Sequence, residues 1–185
     1  MKARLPNALT IIRMFLIPVF VAFYLIGIQN WQLYAGIIFI IASFTDWLDG
    51  FLARRWNQIS NFGKFMDPIA DKLLVLAALL VLMDCDIIPL WAVIVLIARE
   101  FIISGFRLVA ASQNIVIAAD MSGKIKTAVQ MIAIILLLVG QYIFGDIAFF
   151  IGMIFIYISV ALSIYSCIEC IVKNKMVFSN SREEN

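Results

Sequence analysis

Six apolar stretches recur along the chain, and none of them contains a charged side chain. They cover residues 14–26, 31–45, 73–83, 87–98, 127–145 and 147–168. A membrane-spanning helix needs about 20 apolar residues, so the last two are long enough, and the others span only if their helices extend into charged flanks. Continuous apolar runs without polar alternation exclude the strands of a membrane barrel. The pattern therefore predicts an all-α, polytopic membrane protein with six transmembrane helices.

The two ends of the chain differ from these runs. Residues 1–13 mix basic with apolar side chains, which predicts a short N-terminal interfacial helix ahead of the first span. Residues 174–185 are polar, so we expect them to form a cytoplasmic tail. Residues 1–173 are too few for two substantial domains, and we expect them to form one transmembrane domain.

Composition and charge agree with this class. The chain is 64% hydrophobic and 14% charged, against about 45–50% and 25% in soluble domains. With six spans, all 14 Lys and Arg residues fall on or near the side that holds both termini. The opposite loops carry only Asp84, Asp86 and Asp146. This positive-inside pattern predicts that both termini lie in the cytoplasm.

Four aspartates lie within a short window between the second and third predicted helices. Asp46 and Asp49 are three residues apart, and Asp67 and Asp71 are four apart, so each pair shares one helix face. Pro68 suits the first turn of the third helix. Because the connection between the two helices is short, we expect the four carboxylates to converge at the cytoplasmic membrane face.

Such a cluster needs a cation. A charge in a spanning helix costs about 2.5–3.5 kcal/mol, and neighbouring carboxylates repel one another. One or two divalent ions would remove both penalties, and oxygen ligands favour Mg²⁺ or Mn²⁺. Gly50 and Gly63 let a ligand approach the backbone, Ala53 is small, and Arg54 offers a bidentate partner for phosphate. The window predicts a metal-assisted phosphate-ester site.

The spacing D-x2-D-G-x2-A-R-x8-G-x3-D-x3-D, which runs from Asp46 to Asp71, resembles the signature of the CDP-alcohol phosphotransferase family. Members of this family transfer a substituted phosphate from a CDP-linked donor to an alcohol and release CMP. The resemblance implies that Asp46, Asp49 and Asp67 hold two metal ions, while Asp71 shares the second ion and acts as general base. It also implies a CDP site lined by Gly50, Ala53, Arg54 and Gly63.

Further segments resemble the family members that use CDP-diacylglycerol as donor and sn-glycerol 3-phosphate as acceptor. They are Pro6–Arg13, Met66–Lys72, Ala98–Glu100 and Gly123–Gln130. This resemblance implies that Asn7 and Thr10, with Arg13, lie near the nucleotide or headgroup. It also implies a homodimer among membrane lipids in a bacterial cell membrane, with the active site facing the cytoplasm and no nucleic-acid partner.

Basic residues near the fourth and fifth helices bear on the acceptor. Arg99 adjoins an apolar run and is expected to face the bundle interior. Lys124 and Lys126 precede Thr127, which we expect to open the fifth helix, where free N–H groups attract anions. Together with Arg107, these residues predict a pocket for an acceptor that carries a phosphate. The alternative is that Lys124 and Lys126 are only a positive-inside flank.

Two other functions remain open on the sequence. Another acceptor, such as inositol phosphate, serine or a phosphatidyl group, would leave the aspartate chemistry unchanged. A divalent-cation transporter would use intramembrane acids differently, as a path across the bilayer. The acids here crowd one face, and no chain of polar residues continues outward, which favours the enzyme. The sequence predicts no role for Glu169.

Overall fold

Six long helices make up the described part of the protein in the computed structural model. The backbone is described for residues 4–56, 61–113, 115, 117 and 121–174, and the side chains for 11–45, 69–70, 72–113, 115, 117 and 121–174. Within these residues there is no strand, which confirms the all-α prediction. The helices are α1 Arg4–Ile26, α2 Trp31–Trp56, α3 Asn61–Asp84, α4 Leu90–Ser112, α5 Met121–Phe144 and α6 Asp146–Lys173.

Each helix covers most or all of one predicted apolar run and extends beyond it into charged residues. Short turns join α1 to α2, α3 to α4 and α5 to α6, and positive φ angles at Gly27 (67°) and Gly145 (58°) reverse the chain after α1 and α5. The two helices of each of these pairs therefore run in opposite directions. One end of the bundle, here the basic end, holds Ser112, Met121 and Lys173, and the opposite, acidic end holds Asp84 and Asp146.

The separate interfacial helix expected for residues 1–13 is not confirmed. Residues 4–13 continue without a break into the apolar run, as one α-helix. Arg13 lies in this helix with 0% of its surface exposed. Its guanidinium is therefore enclosed by the bundle.

The outer surface of the bundle is apolar. α5 and α6 are long and apolar enough to cross a membrane, with mean hydropathies of 2.0 and 2.5. Large apolar side chains stand exposed along several helices, for example Phe15 at 70%, Leu108 at 73% and Phe150 at 68%. Soluble monomers rarely expose apolar surface so widely, and a lipid-facing protein does. The chain is a membrane protein.

A π-helical turn, Leu136–Gly140, interrupts α5 where it packs against its neighbours. Gly152 of α6 faces Leu137, and Gly36 of α2 faces Leu138 and Val139. Small residues let helix backbones approach closely, a common device in membrane bundles. The glycines thus seat α5 between α2 and α6 and fix the position of its basic N-terminal half.

Contacts at the acidic end hold the helices there. The Tyr24 hydroxyl donates to Asp84, and the Tyr142 hydroxyl donates to the Gln32 side-chain oxygen at 3.3 Å. Helix α6 packs along both α5 and α4, and α1 packs along α2 and α3. The charged side chains of α4 and α5 contact one another nearer the basic end of the bundle.

We predict that Gly152→Ala lowers stability. The added Cβ would stand 2.9 Å from both Cγ and Cδ2 of Leu137, which is fully buried. Overpacking of this kind costs about 1–3 kcal/mol, so the thermal unfolding midpoint in detergent should fall. Gly105→Ala is the matched control, because a Cβ there meets no atom within 4 Å. Equal midpoints for the two variants would contradict the packing described here.

Candidate active site

A cavity of about 640 Å³ lies between α3, α4 and α5. Five basic side chains and one acid line it together with polar and apolar neighbours: Lys72, Arg99, Glu100, Arg107, Lys124 and Lys126. Lys72, Arg107 and Lys124 are exposed, whereas Arg99 and Lys126 lie deeper. The excess of positive charge makes the cavity suited to an anion.

The residues predicted to bind an acceptor phosphate all line this one cavity. They are Arg99, Arg107, Lys124, Lys126 and Thr127. They come from two helices separated in sequence, so only the packing of α4 beside α5 could bring them together. Their role in binding the acceptor phosphate stays a prediction, and their convergence locates the predicted site in this cavity.

Two partners on opposite sides fix the guanidinium of Arg99. Its Nε and Nη2 donate to the Ser166 Oγ of α6 at 3.3 and 3.0 Å. Its Nη1 donates to Glu100 Oε1 at 3.0 Å. The side chain is 11% exposed, which fits the prediction that it faces the interior.

Lys126 is a buried cation with a close counter-ion. Its side chain is 2% exposed, and its Nζ lies 2.6 Å from Glu100 Oε1. A buried ammonium is strongly destabilising without such compensation. The Glu100 carboxylate of α4 therefore ties α5 to α4 at the level of the cavity.

Lys72 joins the same group of side chains from α3. Its Nζ donates to Ser104 Oγ, and Ser104 Oγ in turn donates to the backbone carbonyl of Glu100 at 2.6 Å. Lys72 follows Asp71 directly in the chain, and Ile69, two residues before Asp71, also lines the cavity. The cavity wall therefore adjoins the segment that carries Asp71.

Thr127 corrects one expectation. It does not open the fifth helix, because α5 begins six residues earlier, at Met121. Its hydroxyl donates to the Gly123 carbonyl at 3.0 Å. Free N–H groups at a helix start therefore do not explain an anion site at Thr127, and the predicted site would depend on the cations around it.

The four aspartates lie on the two predicted helices. Asp46 and Asp49 are in α2, and Asp67 and Asp71 are in α3. Helical backbone at these positions puts each pair on one face. Their side chains lie outside the described residues, so the metal site stays a prediction. Among the described side chains, no group of three or more metal-ligating residues is present.

The predicted CDP site falls on the same helices. Gly50, Ala53 and Arg54 follow the first aspartate pair in α2, and Gly63 precedes the second in α3. Asn7 and Thr10 are in α1, and the side chains of all these residues lie outside the described part. The prediction that Pro68 lies in the first turn of α3 is wrong, because that helix begins at Asn61.

The far wall of the cavity is apolar. From Lys72 the wall continues along α3 through Leu76 to Leu79, about 10 Å further along the helix axis. Leu96 and Ile97 of α4 face it. The cavity is thus basic toward one end of the bundle and apolar toward the other.

Sequence reasoning missed Glu100, Lys72, Ser104 and Ser166 as parts of the site. An acid inside a spanning helix was the available signal for Glu100, since such residues are costly and usually functional. Glu169, which had no predicted role, accepts hydrogen bonds from Ser122 and Lys173, both at 2.6 Å. It joins α5 to the end of α6 and does not line the cavity.

The cysteines take no part in the cavity. Cys85 lies in the turn after α3, at the acidic end, where burial raises the pKa of its thiol. Cys167 and Cys170 lie on α6, and neither lines the cavity. A thiol with a raised pKa is a poor nucleophile at neutral pH, which agrees with a site built on carboxylates and bases.

Comparison with known proteins covers nearly the whole chain. The model of the family described as CDP-alcohol phosphatidyltransferase matches residues 3–165. This range includes the aspartate window and every residue that lines the cavity.

Three bacterial relatives share one name, CDP-diacylglycerol–glycerol-3-phosphate 3-phosphatidyltransferase. The protein of Bacillus subtilis is 43% identical over 182 residues, which is 92% of this chain and 94% of the relative. That of Haemophilus influenzae is 40% identical over 174 residues, 91% and 92% of the two chains. That of Escherichia coli K12 is 37% identical over 174 residues, 91% and 93%.

We predict that Gly123→Ala weakens anion binding in the cavity. A Cβ at Gly123 would stand 3.0 Å from Arg99 Nη2, so the guanidinium must move by a few tenths of an ångström relative to its partners. We expect about a tenfold loss of affinity for inorganic phosphate, the scale of one charged hydrogen bond. Thermal stabilisation of the purified protein by increasing phosphate measures this. Gly105→Ala, in the same bundle but with open space around its Cβ, should bind as the unaltered protein does; equal affinity in Gly123→Ala would contradict the prediction.

Proposed function

Because the chain belongs to the CDP-alcohol phosphatidyltransferase family, we propose that it transfers the phosphatidyl group of CDP-diacylglycerol to sn-glycerol 3-phosphate. The products are phosphatidylglycerol phosphate and CMP. The names of the relatives support both substrates. The observation that supports glycerol 3-phosphate as the acceptor is the cavity, which is lined by five bases and one acid and lies beside the Asp71 segment.

The position of the site in the membrane follows from charge. We propose that all six helices span the inner membrane of a bacterial cell and that the basic end faces the cytoplasm. Arg107, Lys124 and Lys173 lie toward that end, whereas Asp84, Asp86 and Asp146 lie at the other. Loops rich in Lys and Arg stay in the cytoplasm. Water-soluble glycerol 3-phosphate would then enter from the cytoplasm.

The charge of the cavity favours an acceptor that carries a phosphate. Arg99 and Lys126 are mostly withdrawn from water, where their attraction for a phosphate is screened less than at the surface. A neutral alcohol would gain nothing from them. Inositol phosphate would satisfy the charge as well as glycerol 3-phosphate does, and the names of the relatives favour the latter.

The donor site rests on the aspartates. We propose that Asp46, Asp49, Asp67 and Asp71 hold two divalent cations, Mg²⁺ or Mn²⁺, since an all-oxygen ligand set suits these ions. Bound metal would offset the negative charge of the donor pyrophosphate and stabilise CMP as leaving group. The proposed CDP site comprises Asn7, Thr10, Gly50, Ala53, Arg54 and Gly63.

The chain itself must supply the base. It contains no histidine, so a carboxylate is the natural proton acceptor near neutral pH. We assign this role to Asp71, which precedes the cavity-lining Lys72. Asp71 takes the proton from the 1-hydroxyl of glycerol 3-phosphate, and that oxygen forms a bond to the diacylglycerol-bearing phosphorus. The bond from this phosphorus to CMP breaks, and CMP leaves.

The apolar parts of the bundle suit the lipid substrate and product. The cavity wall from Leu76 to Leu79 is apolar and would lie toward the bilayer interior in the proposed orientation, and the exposed faces of the helices are apolar. Acyl chains packed along these surfaces would stay in hydrocarbon while the headgroup reaches the charged residues. The family resemblance further supports a homodimer. The molar mass of the purified protein, measured by size-exclusion chromatography with light-scattering detection, would test this.

The reaction itself is the main test. With CDP-diacylglycerol and Mg²⁺, the purified protein should release CMP only when glycerol 3-phosphate is present, and EDTA should stop the release. Metal-dependent release with a different acceptor would keep the aspartate chemistry and overturn the acceptor assignment. No release with any acceptor from a folded sample would overturn the proposed activity and favour a divalent-cation transporter.

We predict that Asp71→Asn nearly abolishes turnover, because the amide cannot accept the proton. Loss of a general base typically costs about 10²–10⁴-fold in kcat. Binding of glycerol 3-phosphate, measured by thermal stabilisation, should persist. Asp86→Asn is the matched control: Asp86 lies at the acidic end with φ 57°, a conformation that Asn tolerates. A fully active Asp71→Asn variant would remove Asp71 from this role.

A further inference from the structure

We infer that Glu100 is a positioning residue for the acceptor phosphate, fixing the cations that bind it. This inference rests on the proposed function, because it concerns the same cavity. Glu100 is an acid in a cavity whose other charged lining residues, in the described part of the chain, are bases, and its charge alone would repel a phosphate. Its contacts explain its presence.

A single carboxylate oxygen joins two cations from different helices. Glu100 Oε1 lies 3.0 Å from Arg99 Nη1 and 2.6 Å from Lys126 Nζ. The two nitrogens can therefore be no farther apart than the sum of these distances. Two cations held so close repel each other unless an anion lies between them. Glu100 keeps both at the cavity wall.

Arg99 is oriented by this contact. Of the five N–H donors of a guanidinium, two bond Ser166 Oγ and one bonds Glu100 Oε1. With both flanks held, the remaining donors keep a fixed direction. A pre-oriented guanidinium binds phosphate with less loss of side-chain entropy than a mobile one.

Glu100 also acts through its backbone. Its carbonyl accepts the Ser104 hydroxyl at 2.6 Å, and Ser104 accepts a hydrogen bond from Lys72. Three cations from three helices, Lys72, Arg99 and Lys126, are thus connected through one residue of α4. A substitution of the Glu100 side chain affects Arg99 and Lys126 and leaves the Lys72 connection in place.

A role in stability alone would predict a different outcome. Buried ion pairs contribute little net stability, and a fold defect would impair both substrates together. Positioning of the acceptor phosphate predicts instead a change confined to glycerol 3-phosphate. It also predicts rescue by glutamine, whose amide oxygen can still accept hydrogen bonds from Arg99 and Lys126.

The test compares Glu100→Ala and Glu100→Gln with the unaltered enzyme, using CMP release at varied concentrations of each substrate. We expect Glu100→Ala to raise the KM for glycerol 3-phosphate about ten- to hundredfold, the scale of a lost charged hydrogen bond. The KM for CDP-diacylglycerol should stay unchanged. Glu100→Gln should recover most of the affinity. Glu169→Ala is the matched control, an acid hydrogen-bonded at the same end of the bundle but outside the cavity, and its KM values should be normal.

Each result decides the matter. An unchanged KM for glycerol 3-phosphate in Glu100→Ala, an equal rise for both substrates, or an equal defect in the Ala and Gln variants would overturn positioning by Glu100. If Glu100→Ala does not fold, the Glu100→Gln variant provides the test. A hundredfold rise in its KM for glycerol 3-phosphate would contradict rescue by glutamine. If the unaltered enzyme does not use glycerol 3-phosphate, the proposed function fails, and stabilisation by inorganic phosphate tests Glu100 independently: it should be lost in Ala and kept in Gln.

Discussion

The cost of placing a charge in hydrocarbon shapes this bundle more than any other constraint. An ionisable side chain at the centre of a spanning helix costs about 2.5–3.5 kcal/mol on insertion scales, yet Arg13, Arg99 and Lys126 all lie within long apolar helices. Each is buried inside the protein or nearly so, while phenylalanine, leucine and isoleucine cover the outside. The six helices therefore enclose charged residues as well as an apolar core.

This arrangement gives the cavity its chemistry. Cations that are buried away from lipid lie close to one another inside the bundle. Hydrogen bonds that involve Glu100, Ser104 and Ser166 stabilise this arrangement. Ser166 and Glu100 engage three of the five N–H donors of Arg99, which leaves two donors of its guanidinium for a ligand. Gly123 adds space, because any larger side chain there would press on the guanidinium. The interactions that let the charges be buried also hold them ready for an anion.

The sequence predicted some of this structure and could not predict the rest. Charge-free runs predicted six helices because apolar length is a local property, and the aspartate spacing placed each pair on one face for the same reason. Helix starts were wrong at Thr127 and Pro68, since both helices extend well before their apolar runs into charged residues. In α5 this extension includes Lys126, whose partner Glu100 lies inside the bundle. The pairing of Glu100 with Lys126 spans 26 residues and depends on how α4 packs beside α5, which no local pattern contains.

A lipid donor and a water-soluble acceptor impose opposite demands on one enzyme. The donor must keep its acyl chains in hydrocarbon, and the acceptor phosphate must leave water without losing its electrostatic compensation. A cavity that is basic toward one end and apolar toward the other meets both demands within about one helix diameter. The Asp71 segment borders this cavity beside Lys72, where the two kinds of surface meet. The proposed proton transfer to Asp71 at that border would require neither substrate to leave the phase that it prefers, and it would place the charged half of the site inside the bundle.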